Sequence, residues 1–499
     1  MPDDLGYFQF ATTPSTNQSL VIGSDSRAGY DAIKDRDRRR PPKKRVQLQD
    51  AMLLGRNREK AAATTQDLQR NFVVAAWAIR KHLDYVSTMT FAAKTDNDEL
   101  DDQLEAWVAN WSLRNNCDVT RRHSLRRIIR MAEARRTVDG DVAALKIGGN
   151  GVDRGKLQML EGYRIADPPD DKVKDLDNWV NGVQLSNKGS ASRYAVYKRD
   201  IKGKDTFERF VPSPNICFLA YYERFDQVRG VSPLMSGLNS FQDVYEATDL
   251  SLAKMKVAQL FGLVLYRDAA ESSDQYGGPI ATEDANEDGV EDSGYEFDFG
   301  EGPQFMDLEP GDRAEFLEGS AATQESVDFM KFVLSIALKS LDLPDSFLNE
   351  SETNFFGSRA ALLQYLRSAK CKQDDLIEFL DELTKWRLGM AVADGEIVLP
   401  AGMSFSDIAW KWQPLGVPWW DPVKEANGAK VAIGSGLDNI ERVTQMNGTD
   451  VKDNIDKLAK WTAYAKETHG LDLDLSPSPV VAGVPEVDED EEGSEEDDE

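Results

Sequence analysis

Three stretches hold residue types whose spacing could do chemistry. Asp139-Gly140-Asp141 sets two carboxylates either side of a glycine, a pair that could hold a hydrolytic metal if further ligands joined it. The sequence supplies no convincing further ligands. Asp284-Ala285-Asn286-Glu287-Asp288-Gly289 matches the first half of a calcium loop, where oxygen ligands alternate and glycine makes the turn. The bidentate position then falls on Tyr295, with Glu296 one place late, and helices do not flank it, so a plain acidic loop is the simpler reading. Gly149-Asn150-Gly151-Val152-Asp153-Arg154-Gly155 follows a strand-like run, as phosphate-cradling loops do. Its spacing is one residue off GxGxxG, and a strand rather than a helix N-terminus follows, so a hairpin loop is expected.

Other chemistry is excluded. No GxxxxGK[ST] occurs, which leaves a nucleotide-driven motor without support. His82, His123 and His469 are too dispersed for HExxH or a zinc constellation. Cys117, Cys217 and Cys371 form no CxxC pair, which argues against a disulfide framework and suits a reducing cytosol. No catalytic residue, metal or cofactor is assigned.

Charge sets the next bound. The net charge is −28; residues 486–499 hold 11 acidic and no basic side chains, leaving −17 for the rest. Such a chain is a poor wrapper of nucleic acid, whose affinity comes from Lys and Arg, though it could guide DNA without gripping it. Two basic stretches run against the trend. Arg36-Asp37-Arg38-Arg39-Arg40-Pro41-Pro42-Lys43-Lys44-Arg45 is either a solvated arm or a segment that touches phosphates or an acidic neighbour. The helix expected at 124–138 follows Arg121 and Arg122 and carries Arg126, Arg127, Arg130, Arg135 and Arg136 opposite Leu125, Ile128, Ile129 and Ala132. No aromatic interleaves with these arginines, so pairing with acidic subunits is favoured over nucleic acid.

At 499 residues the chain has room for two or three domains. It opens without signal-peptide features, and no apolar run approaches the ~20 residues of a membrane span, so a soluble intracellular protein is expected. Residues 1–50 are polar. Helix is expected over 51–92, with Leu68, Phe72, Ile79 and Leu83 on one stripe, and over 97–113. Beyond Asp141 the period shifts to two: Val142–Ile147, Leu157–Leu160, Tyr194–Tyr197 and Ile216–Tyr221 read as strands. The fold class is α+β, without a regular βαβ series.

The organising stretch is 232–390. Ser232 caps a helix and Pro233 suits its first position. Leu234, Leu238, Phe241, Tyr245, Leu252 and Met255 keep 3-4 spacing, and a second helix at 323–341 carries Val327, Met330, Leu334 and Leu338 likewise. Between them, residues 268–318 hold 17 acidic side chains against Arg313 alone. After Pro344 and a polar loop, a third helix runs from about Ser358 to Met390. A Trp-rich strand pair is expected in 402–413, helices over 421–469 and a disordered acidic end over 475–499; no internal repeat occurs.

Arg229-Gly230-Val231-Ser232-Pro233-Leu234, Leu341-Asp342-Leu343-Pro344 and Asn354-Phe355-Phe356-Gly357-Ser358-Arg359-Ala360-Ala361 resemble the central motifs of lambda-like tailed-phage portal proteins. So do Asp67-Leu68-Gln69-Arg70-Asn71, Asp139-Gly140-Asp141-Val142 and Leu157-Gln158-Met159-Leu160-Glu161, upstream and in the same order. The resemblance implies a homo-oligomeric ring, usually of twelve copies, at one capsid vertex, with double-stranded DNA in its channel. Terminase, a head–tail adaptor, and major capsid and scaffold proteins would be its partners. The virion portal vertex would be its place, after host-cytoplasmic assembly, with no membrane involved.

By matching order it implies a flexible arm (1–50), a wing (51–231 and 358–420), stem helices (232–266 and 320–343), an acidic clip (267–319), a tunnel loop (344–357), a crown (421–470) and an acidic tail (471–499). Channel residues would be Asn349, Glu350, Ser351, Glu352, Thr353, Asn354, Phe355, Phe356 and Arg359. Glu296, Asp298, Asp307, Glu309 and Glu315 would face terminase or adaptor. Competing readings are a minor capsid or scaffold protein with protein contacts only, and a metal-dependent hydrolase built on Asp139 and Asp141.

Overall fold

Residues 57–173, 178–199, 205–260, 263–267, 312–316, 324–348, 355–417 and 421–473 are described here from a computed structural model. The chain divides into two compact units, residues 1–87 with 106–405, and residues 88–105 with 406–499.

The first unit opens with α1 (Asn57–Asn71) and α2 (Val73–Val86). Phe72, extended at φ −111°, separates what reads in sequence as one helix. The expected helix also ends earlier than 92: Ser87 closes α2, and Met89–Ala93 is a strand, β1. Next come α3 (Asp98–Trp111), which straddles the two units, α4 (Arg114–Cys117) and α5 (Leu125–Asp139). Gly140 ends α5 in the left-handed region at φ +93°, which favours glycine.

The chain then enters β2 (Asp141–Lys146), followed by β3 (Leu157–Glu161), β4 (Trp179–Val180), β5 (Val183–Leu185), β6 (Ala191–Arg199), β7 (Asp205–Pro212) and β8 (Ile216–Ala220). They form two antiparallel sheets, β3-β2-β8 and β4-β5-β6-β7. Every residue of β2 is buried. Ala143 and Leu145 pack toward Val183, Tyr194, Val196 and Val211 of the other sheet. A strand covered on both faces loses polar alternation, which is why Val142-Ala143-Ala144-Leu145 is so uniformly apolar.

From Ser232, whose hydroxyl accepts from the Leu234 N–H, a 3-10 turn leads into α6 (Leu238–Leu260). At its far end β9 (Leu263–Arg267) pairs antiparallel with β10 (Asp312–Phe316), which leads back into α7 (Gln324–Leu338). The result is a helical hairpin with one arm about 35 Å and the other about 22 Å long at 1.5 Å per residue. Its root joins one core with α1, α2 and α8 (Phe355–Ala393): Leu234, Leu238 and Phe241 meet Leu334, Ala337, Leu338 and Tyr365 there. Gly237 permits the closeness, since a Cβ on it would lie 2.8 Å from the Ala337 carbonyl oxygen.

In the second unit β1 pairs antiparallel with β11 (Trp410–Pro414), Phe91 opposite Trp412. The expected strand pair within 402–413 is therefore a single strand whose partner is distant in sequence. Three helices follow, α9 (Pro422–Gly434), α10 (Ile440–Met446) and α11 (Val451–His469), each capped by an Asp or Asn side chain (Asp421, Asn439, Asp450). None of the three buries a residue.

Candidate functional site

The strongest constellation joins the sheets to the hairpin. The Asp141 carboxylate is fully buried. It accepts from Arg229 Nε at 2.7 Å, Arg229 Nη2 at 2.9 Å, the Gly230 N–H at 3.0 Å and Arg58 Nη2. Arg229 also donates to the carbonyls of Gly162, Ile165 and Asn181, at 2.7, 2.8 and 2.6 Å. Burial opposes ionisation of Asp141, but the Arg229 and Arg58 charges outweigh it and hold its pKa below the ordinary carboxylate value. Burial, and then the neighbouring Arg229 charge, pull Arg58 down to about 10. Backbone seals the knot: a Cβ on Gly230 would lie 1.9 Å from the Gly140 oxygen, and one on Gly140 2.6 Å from the Gly230 oxygen. Asp139-Gly140-Asp141 and Arg229-Gly230 are two halves of one joint, and Ser232 adds a 2.6 Å hydrogen bond from its hydroxyl to the Thr137 carbonyl.

That geometry overturns the metal-hydrolase reading of the pair. Four donors fill Asp141, and Asp139 accepts from Gln66 Nε2 at 2.8 Å and from Arg135. Burial raises the Asp139 pKa while Asp141 is lowered, and both carboxylates are committed to structural partners. Among the described residues no three His, Cys, Asp or Glu side chains form a metal-holding group. Gly149–Gly155 makes a loop between β2 and β3, as expected; Arg154 donates to the Gly148 carbonyl at 2.7 Å and to Asp394 at 2.9 Å.

A second buried network lies where the hairpin returns to the core. His82 Nε2 meets Glu133 at 2.9 Å, and Glu133 accepts from Arg136 Nε at 2.8 Å. Arg136 also reaches Asp375 at 2.7 Å and the Lys372 carbonyl at 3.1 Å. Lys372 donates to the Leu341 carbonyl and to Asp342, whose carboxylate also accepts from Ser368. Burial keeps His82 neutral, its pKa below the ordinary value. Its Nε2–H then donates to Glu133, and Nδ1 accepts the Tyr365 hydroxyl at 3.4 Å. Phe347 stacks on Tyr85 at 5.6 Å and stands edge-on to Tyr365 at 5.3 Å, pinning the turn Asp345–Phe347 that follows the hairpin.

The residues expected to line a channel fall differently. Asn349, Glu350, Ser351, Glu352, Thr353 and Asn354 lie outside the described residues. Phe355 and Phe356 form the first turn of α8, so that helix begins three residues before the expected Ser358. Arg359 follows, half-buried. Glu296, Asp298, Asp307 and Glu309 also lie outside; Glu315 is in β10, opposite Val264 of β9.

Of the expected hairpin residues, Leu234, Leu238, Phe241, Leu334 and Leu338 are buried at the root. Tyr245, Leu252 and Met255 are exposed, and Val327 and Met330 half-buried. Sequence reasoning missed Phe329, Phe332 and Ile336, which are 66%, 61% and 48% exposed on α7. Their 3-4 spacing was a readable signal of a second apolar face. It also missed Arg58, which carries no local pattern.

In the second unit a polar cleft of about 460 Å³ is lined by acidic residues, among them Asp98, Asp101, Glu105, Asp450 and Asp453. Lys94 pairs with Asp450 at 2.6 Å and Lys452 with Asp98, so part of that charge is already neutralised.

Residues 37–373 match the phage portal protein family, lambda family, and the chain belongs to it. No curated protein matches the chain. Among solved structures it is similar to a chain in the virion of a native gene transfer agent particle, at 12% identity and TM-score 0.44, covering 76% of this chain and 94% of that one. It is also similar to chains in the neck of the native particle computed with C12 symmetry (13%, TM-score 0.45, covering 77% and 96%) and in the neck of the empty particle computed with C6 symmetry (13%, TM-score 0.46, covering 77% and 93%). The family's role is structural, not enzymatic.

Proposed function

We propose that copies of this chain close into a ring of twelve at one capsid vertex, through which DNA is packaged and ejected. The carrying observation is the hairpin: its root is buried and locked, while its outer arms leave Tyr245, Leu250, Leu252, Phe329, Phe332 and Ile336 exposed. A helix apolar on more than one face needs another surface to cover it. Neighbouring hairpins in a heterologous, closing interface would supply that surface. Family membership supports the same use.

In this reading α6 and α7 are the stem, 267–319 the clip, 344–357 the tunnel loop and 421–470 the crown. Residues 51–231 and 358–420 form the wing. The acidic balance fits a bore that a polyanion must slide through without binding. Asn349–Asn354 contains no Lys or Arg, so the loop would touch DNA by weak polar contacts only. Glu296, Asp298, Asp307, Glu309 and Glu315 would meet the terminase motor and then the tail adaptor. The ring would also nucleate head assembly with capsid and scaffold proteins. Sedimentation velocity of the purified full chain tests the reading. A closed species of about twelve chain masses is expected, and Phe329→Ser with Phe332→Ser should shift it to monomer. Wild-type chain that stays monomeric under assembly conditions would favour a minor capsid component instead.

A further inference from the structure

Residues 341–348 carry the chain out of the hairpin, and one stripe of α8 holds them. Tyr365, Ser368 and Lys372 stand at i, i+3 and i+7 on that helix and so share a face. Lys372 Nζ donates to the Asp342 carboxylate at 2.8 Å and to the Leu341 carbonyl at 3.2 Å. The Ser368 hydroxyl donates to the same carboxylate at 2.5 Å. Tyr365 meets the Phe347 ring edge-on, and Tyr85 of α2 stacks on that ring.

The held position carries two local costs. Asp342 sits in the left-handed region at φ 61° and ψ 16°, where helix ends ordinarily place glycine. Its N–H donates to the Lys339 carbonyl at 3.1 Å, and the Leu343 N–H reaches back to the Leu338 carbonyl at 3.2 Å. That is the bonding of a helix C-cap, with a Cβ carried in the conformation that crowds it. Ser346 is buried, and its hydroxyl has no hydrogen-bond partner among the described residues. A buried hydroxyl without a partner is unfavourable. Against these costs stand the α8 stripe and the burial of Leu343 and Pro344.

We propose that residues 342–348 form a strained latch, closed by Lys372 and Ser368, that opens as one local unit by turning at Asp342 while the root of the hairpin stays packed. Opening relieves both the backbone strain and the buried hydroxyl, which is what sets this segment apart from an ordinary connection. Because Leu343 and Pro344 must leave the core, opening is a rare event and not the fraying of an end. The closed latch fixes the direction in which the chain leaves the hairpin. It is a property of one chain, so it stands or falls apart from the ring.

The test is amide hydrogen exchange of the purified full chain, read peptide by peptide by mass spectrometry. The N–H groups of Leu343, Phe347 and Leu348 report on the latch, since they donate to the carbonyls of Leu338, Pro344 and Asp345. Lys372→Met keeps the aliphatic stem and removes the ammonium. It should speed exchange in this segment about tenfold, as expected for the loss of a charged hydrogen bond, and leave α6 and β2 unchanged. Ser368→Ala should give a smaller rise at the same sites. Adding Asp342→Gly to Lys372→Met removes the strain together with the unpaired carboxylate, and should bring the rates back to within about threefold of the natural chain. A double variant that exchanges as fast as Lys372→Met alone shows that no strain is stored and overturns the proposal. So do rates that Lys372→Met leaves unchanged, or raises equally in β2.

Discussion

The joint at Asp141 and the outer arms of the hairpin invert the usual order of a soluble protein. At the joint, two guanidinium groups and a carboxylate are buried and paired with one another. A few turns along α6 and α7, Leu250, Phe329 and Phe332 face outward. The first region is complete within one chain, since each buried charge has partners. The second is incomplete, because apolar side chains worth roughly 1.5–3 kcal/mol each on burial are left uncovered. The joint therefore fixes where the hairpin points, and the arms determine what the chain assembles with. Helix α11 repeats the second pattern on a smaller scale, with Ile455, Leu458 and Trp461 exposed.

Breaking the joint should cost most. Arg229→Ala leaves Asp141 buried with half its donors gone, and about 3–5 kcal/mol of stability should be lost in denaturant titrations. Arg229→Lys should recover only part, since a point charge cannot replace a bidentate fork. Gly230→Ala sets a methyl group against the Gly140 carbonyl and should cost about 3 kcal/mol by the same titration, without touching any charge.

A smaller effect is expected at His82. Its folded pKa lies below 6.5, so the unfolded chain binds the extra proton and stability falls as pH drops below 6.5. The slope should be about 1 kcal/mol per pH unit down to the folded pKa, and His82→Gln should flatten that window in pH-dependent unfolding. Asp141 and Glu133 act lower. Their folded pKa values are depressed, so their contribution is present above about pH 4–5 and is lost as pH falls through the folded values.

The smallest change in single-chain stability, within about 0.5 kcal/mol, is expected for Phe329→Ser with Phe332→Ser, because both side chains are exposed. The same double variant should abolish assembly by sedimentation. A variant that unfolds instead, or assembles normally, would erase the contrast between joint and arms.

Much of this was legible in the residues. Ser232-Pro233 marked the entry to the hairpin, and the 3-4 spacing of Leu234, Leu238 and Phe241 marked its root, because local capping and periodicity act within one segment. The strand β1 was not legible: Met89-Thr90-Phe91-Ala92-Ala93 follows a helix directly, and its partner β11 begins at Trp410. The strand β7 was hidden because Asp205-Thr206-Phe207-Glu208-Arg209 has little apolar content, being mostly exposed beside β6. The Asp139-Gly140-Asp141 and Arg229-Gly230 motifs were visible, but their union across 88 residues was not. Arg58, the third party to that union, has nothing in its neighbourhood to announce it. Exposure on one face of α7 could be read only against a single chain in three dimensions.

The most direct measurement is electron cryo-microscopy of the assembled full-length chain. A closed ring with a central hole is expected, with α6 and α7 of adjacent copies packed around a common axis and Phe329 and Phe332 buried between them. Isolated monomers, or an assembly in which those two side chains still face solvent, would contradict it.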